Sequence, residues 1–154
     1  MERIWLIGIL FAATALRFLG LEHESFWFDE IWAVKQVRPS LGELFQSLGT
    51  EDVHPPLYPL LLWGWVRMLG EAEWAVRSLS AIFGVGAVGA LYLLGRDLWD
   101  RRTGLMAAGI LTLNAFAIAY AQEARSYALM LFLSTLSTWL MIRGRWVAYT
   151  ISAI

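Results

Sequence analysis

The chain has 154 residues, 58% of them hydrophobic and only 16% charged, with a formal net charge of -1 and no cysteine. A soluble domain carries roughly 45–50% apolar and about 25% charged residues, so the excess points to a bilayer, and near-neutral charge gives no footing for a nucleic-acid partner. Without cysteine there are no disulfides, thiolate metal sites or cysteine nucleophiles, and the redox compartment stays open.

Residues 4–20 are apolar apart from Arg17 and long enough to cross a membrane. A cleaved signal peptide is the alternative, with Ala13-Thr14-Ala15 as the cleavage-like site, but the apolar run continues past it. An uncleaved first span is the expectation. Residues 21–54 are the most polar part, and 21–72 is expected to form one outer loop. Within it Ser40-Leu41-Gly42-Glu43 fits a capping box, followed by Leu41, Leu44, Phe45 and Leu48 at helical spacing, as in a short helix lying on the membrane surface. Residues 55–69 are apolar but too short to span, with Pro59 in the first helical turn; a half-buried interfacial helix is expected.

Further spans are expected at 73–95, 104–121 and 124–142, with a fifth beginning near 146. Because nine residues complete no crossing, the chain reads as the N-terminal part of a larger polytopic, all-α membrane domain occupying 1–154. Eight of the nine tryptophans lie in or near boundary stretches, where Trp is favoured; Trp139 is inside a run. Arg3 precedes the first span, Arg96, Arg101 and Arg102 lie between the second and third, and Arg143 and Arg145 follow the fourth. The positive-inside rule makes these places cytoplasmic. That holds only if 55–69 does not cross, in agreement with its length. Loop 21–72 and the turn at 121–125 then share the outer side, although Lys35, Arg38 and Arg67 blur the bias.

Gly84-Val85-Gly86-Ala87-Val88-Gly89 matches a dinucleotide fingerprint in letters alone. That motif needs a strand before it and a turn into a helix, whereas these glycines lie inside an apolar run and are expected to serve helix packing. Asn114, mid-span, is expected to make an interhelical hydrogen bond.

The stretch FWFDEIW, residues 26–32, sets Asp29 and Glu30 among aromatics. Asp29 is a candidate helix cap. An apolar surround also raises a carboxyl pKa and suits it to accept a proton, which makes Asp29 the candidate catalytic base. Glu30 reads as a solvated first-turn acid. Glu123, in AYAQEARSYAL, is a helix-start acid that the topology sets on the same membrane face as Asp29, and is the second catalytic candidate. Arg125 is either a snorkelling interfacial arginine or a phosphate ligand through its planar fork. His54, in DVHPPLYP, is either solvated or part of a phosphate or divalent-metal site. Glu30, His54 and Arg125 form the candidate substrate-binding set. His23 and Lys35 read as surface residues.

These motifs, in this order, resemble the membrane-embedded glycosyltransferases that use lipid-phosphate sugars, the dolichyl-phosphate-mannose protein mannosyltransferase-like group with its bacterial relatives. The resemblance runs from about residue 4 to 142 through FWFDEIW, VHPPLYPLLLWGWVRMLGEAEWAVRSLSAIFG, GRDLWDRRTGLMAA and AYAQEARSYAL. It implies a large bundle of spans with membrane-surface helices in the first outer loop. It implies an active site on the outer face of the plasma (inner) membrane, with the acid matching Asp29 as the base and the acid matching Glu123 shaping the site. The donor would be a polyprenyl-phosphate sugar with its tail among membrane lipids and helices. The acceptor would be a glycan, lipid or protein. The cofactor is left open, a divalent metal being one candidate. The fragment alone is expected to be inactive. Two rival readings are a transporter, disfavoured because such acids sit near the midplane, and a noncatalytic membrane scaffold, in which Asp29 and Glu123 are replaceable.

Overall fold

A computed structural model describes residues 2–50 and 55–153. His54 therefore lies outside the described residues. Among the described residues every regular element is a helix: α1 (Glu2–Phe18), α2 (Phe28–Val37), α3 (Leu41–Thr50), α4 (Leu57–Leu69), α5 (Glu73–Leu98), α6 (Arg101–Leu113), α7 (Ala115–Ala121), α8 (Tyr127–Ile142) and α9 (Trp146–Ala153). Helix α5 is the axis, with α1, α4, α6, α7 and α8 packed around it.

Two features of the described residues between α1 and α5 match the sequence pattern. Ser40 and Glu43 cap α3 reciprocally, Ser40 N–H donating to Glu43 Oε2 at 2.9 Å and Glu43 N–H to Ser40 Oγ at 3.4 Å. Pro59 sits in the first turn of α4, where a missing donor costs nothing. One face of α4, with Tyr58, Leu62 and Val66, packs against Val34 and Val37 of α2 and Val76 and Leu79 of α5 in the first of two apolar cores. The second core joins Ala13 of α1, Val88 and Tyr92 of α5, and Ala108 of α6.

The glycines of 84–89 lie within α5, and packing is their role. A Cβ on Gly84 would stand 2.6 Å from Ala121 Cβ and 3.0 Å from Arg17 Nε, so only hydrogen fits. Gly104 is similar: a Cβ there would meet Tyr92 O at 2.7 Å, which lets α6 lie tightly on α5.

The expected span 104–121 is not one helix. It breaks at Asn114 and bends by 64° between α6 and α7. Asn114 makes no interhelical bond of the kind expected; its Oδ1 accepts Ala117 N–H at 2.9 Å and caps α7. A short polar side chain that binds nearby backbone competes with the helical ladder, and a break leaves the last carbonyls of α6 without partners. Arg17 supplies them. Its guanidinium, fully buried, donates to Leu111 O at 3.0 Å and Thr112 O at 3.4 Å. Gln122 returns the favour to α1, its Nε2 donating to Leu16 O at 3.1 Å and Leu19 O at 2.9 Å.

Helix α5, of 26 residues, is long and apolar enough to cross a membrane by itself, and α6 with α7 qualifies only as a bent pair. Helices α1 and α8, at 17 and 16 residues, fall short of the roughly 20 that a straight crossing takes. Both are nonetheless apolar, and α1 turns Ile4, Trp5, Ile7 and Phe11 outward, as α6 does Met106, Ile110 and Leu113. Contiguous apolar faces of this kind are what a lipid or protein neighbour covers.

Candidate active site

Helix α2 begins at Phe28, so Asp29 lies in its first turn and is not its cap. The turn that joins α7 to α8 carries Glu123 and Arg125. Although 96 positions apart in the numbering, Arg125 Nη2 and Asp29 Oδ2 come within 3.6 Å. That is an ion pair without a hydrogen bond. The Asp29 side chain stays 38% exposed, so its oxygens are open to a third group. The Arg125 guanidinium also stands over the Tyr127 ring at 5.9 Å.

Glu30 corrects the expectation of a solvated acid. Its side chain is buried, and both oxygens are occupied by the protein. Arg77, from the first turns of α5, donates Nε to Oε1 at 2.8 Å and Nη2 to Oε2 at 2.6 Å. Oε1 also accepts Ala124 N–H at 2.9 Å, and Oε2 accepts Trp27 N–H at 3.4 Å. The fork-to-fork geometry suits a buried pair because it satisfies several polar atoms at once. Arg77 completes its own set on the carbonyls of Leu21 and Glu24, each at 2.7 Å. One ion pair thus ties the loop after α1, the start of α2, the start of α5 and the 123–125 turn.

A second strut holds that turn from the other side. Tyr58 Oη and Ser80 Oγ are 2.8 Å apart, and Ser80 Oγ donates to Arg125 O at 3.2 Å. Burial pushes the Tyr58 hydroxyl well above its ordinary pKa, so it stays protonated. Glu123, just before the strut, has its carboxyl pushed up by burial first and then by the nearby negative charge of Glu30, with Asp29 adding to the effect and Arg125 opposing it. Glu123 lines an open cleft with Glu24, Trp27 and Gln122. Arg125 lines a smaller one with Trp32, Gln36 and Tyr58.

The candidates therefore gather at one end of the bundle. Asp29, Glu30, Glu123 and Arg125 share it, while His23 and Lys35 are exposed, as expected of surface residues. Among the described residues no group of three or more His, Asp or Glu side chains is arranged to hold a metal ion; His54, the candidate metal ligand, lies outside them. Arg77 is the residue that the reading of the sequence passed over. Its signal was available: an arginine inside an apolar run long enough to span calls for a partner.

The described residues thus form a helical protein with outward apolar faces and a cluster of charged side chains at one end. Comparison with known families gives that class its identity. Residues 53–152 match the dolichyl-phosphate-mannose-protein mannosyltransferase family. The match covers more than half of the chain, which therefore belongs to this family of membrane glycosyltransferases. Arg77, Glu123 and Arg125 lie inside the matched segment, and Asp29 and Glu30 precede it. Comparison with the curated proteins gave no match, and comparison with the solved structures gave none.

Proposed function

We propose that the chain contributes the catalytic end of a polytopic glycosyltransferase that moves a sugar from a polyprenyl-phosphate donor to an acceptor hydroxyl at the outer face of the membrane. The observation that carries this is the approach of Asp29 to Arg125 beside Glu123, a half-exposed carboxylate paired with a guanidinium and held by a buried frame.

The chemistry follows from the charges. Asp29 takes the proton of the acceptor hydroxyl. The acceptor oxygen forms its bond to the anomeric carbon as the bond from that carbon to the phosphate oxygen breaks. The phosphate departs with the electron pair, and its added charge meets the Arg125 guanidinium in a partly dry site. Attack opposite the phosphate inverts the anomeric configuration. Glu123, with its pKa raised, lines the cleft and holds the acceptor. Glu30 and Arg77, through their buried ion pair, position the turn at the cleft that Glu123 lines. The transporter reading is weakened by the same geometry, because these acids sit at an end of the bundle and transport sites lie near the midplane.

The test is Asp29→Asn expressed from the full coding sequence. Sugar transfer in isolated membranes should fall by roughly 10²–10⁴-fold, the usual worth of a general base, with membrane integration unchanged. Normal transfer by that variant removes Asp29 from the mechanism. The sidedness is separately open to single-cysteine labelling, since the chain has no native cysteine. His23→Cys should react with an impermeant maleimide from outside, and Arg102→Cys should not.

A further inference from the structure

A serine or threonine inside a helix can donate its hydroxyl back to a carbonyl of its own helix. Ser78 does so to Ala75 O at 2.7 Å, Thr112 to Ala108 O at 2.8 Å and Thr138 to Ser134 O at 2.7 Å. Ser80 turns the other way. It is fully buried in α5, and its Oγ donates out of the helix to Arg125 O at 3.2 Å. A hydroxyl has one proton to give, and the carbonyl takes it. The 2.8 Å contact between Ser80 Oγ and Tyr58 Oη is therefore a bond that Tyr58 donates. A donor behind it polarises the Ser80 hydroxyl and strengthens the bond in front. One directed chain of hydrogen bonds thus runs from α4 through α5 to the turn before α8.

That turn has little slack. Arg125 N–H donates to Glu123 O at 2.8 Å, a closure of i to i+2 around the buried Ala124. Ala124 N–H is held by Glu30 and Arg125 O by Ser80, so three neighbouring backbone groups are fixed. The Arg125 side chain has fewer holds. Among the described residues its guanidinium makes no hydrogen bond to the protein; it has the 3.6 Å pairing with Asp29 and the contact with the Tyr127 ring. Its N–H groups remain open to a phosphate. Where they stand is set by the backbone from which the side chain extends, and Ser80 is the side chain that grips that backbone at Arg125 itself.

We propose that Ser80, with Tyr58 behind it, is a positioning residue for Arg125: it sets the guanidinium where the phosphate of a prenyl donor binds, without touching the substrate. The inference rests on the reading of Arg125 as the phosphate ligand.

The experiment uses the purified protein from the full coding sequence, in detergent, with Kd measured by calorimetry. The probe is farnesyl phosphate, a short prenyl monophosphate, and farnesol is the uncharged control. Arg125→Ala should weaken farnesyl phosphate binding roughly thirtyfold, the usual worth of a hydrogen bond to a charged group, and leave farnesol unaffected. Ser80→Ala should weaken it roughly fivefold, the scale of one neutral hydrogen bond. Tyr58→Phe keeps the ring and its packing, and should act in the same direction by less. The deciding variant is Ser80→Ala made in Arg125→Ala. It should add no further loss, because Ser80 acts through a guanidinium that is no longer there. A merely structural serine would cost the same factor in both backgrounds. That result, or undiminished binding by Ser80→Ala or Tyr58→Phe beside a weakened Arg125→Ala, overturns the positioning role alone. Undiminished binding by Arg125→Ala overturns the phosphate reading on which it rests.

Discussion

The two ends of α5 carry the same kind of chemistry and use it differently. At one end Arg77 and Glu30 are 7% and 1% exposed. At the other, Arg143 and Asp97 are 47% and 15% exposed. Beyond the two bonds between its own side chains, the first pair spends its hydrogen-bonding capacity on backbone that carries the site, including Ala124 between Glu123 and Arg125. The second joins α5 to α8 through side chains alone, with Trp139 as a third member. Burial makes the first pair a fixture and leaves the second replaceable. The charged groups are about 30 Å apart along α5 at ~1.5 Å per residue, close to the thickness of a bilayer's hydrocarbon layer. Each end therefore suits one boundary.

The largest effect should come from splitting the buried pair. Glu30→Ala or Arg77→Ala leaves one uncompensated buried charge and should cost roughly 3–5 kcal/mol. Thermal unfolding in detergent measures it. Replacing both by Met should recover much of that loss, because a buried pair is weak evidence of net stability. If it also restored full sugar transfer, the positioning role would be lost and the contrast between the ends with it.

Next comes Gly84→Leu. The new side chain collides with Ala121 and Arg17, and overpacking of this kind costs typically about 1–3 kcal/mol. It should also disturb the Arg17 cap on α6, seen as faster hydrogen exchange in residues 109–113 than in the parent. An unchanged exchange pattern would separate the glycine from the cap.

Glu123 gives a smaller effect with a defined pH course. A carboxyl with a raised folded-state pKa binds its proton more tightly when folded. Stability from this group is therefore highest below the ordinary value of 4.5 and falls as pH rises through the raised folded value. Glu123→Gln should flatten that slope in a Tm series from acid to neutral pH, with stability at neutral pH equal or slightly higher. A steeper slope in the variant would reverse the assignment.

The smallest change belongs to the other end. Arg143→Gln removes a half-exposed partner, while Arg96 and Trp139 still hold Asp97, so about 1 kcal/mol or less is expected. A loss comparable to that of Arg77→Ala would erase the distinction drawn between the ends.

Much of the fold was legible in the residues by themselves, because helical periodicity and capping are local. The box at Ser40 and Glu43 and the short helix with Pro59 in its first turn follow from neighbours within a turn or two. Loop charge led to the expectation that Asp29 and Glu123 share a side, and in the structure the two lie near enough for the charge of Asp29 to act on Glu123. Tertiary structure alone decided the rest. It broke 104–121 at Asn114, which a run of apolar letters conceals, because the cost of freed carbonyls is met by Arg17 from another helix. It took Glu30 out of water, because a first-turn acid is solvated only until an arginine far along the chain arrives to pair with it. Burial and pairing depend on what packs across from a residue, and no local pattern records that.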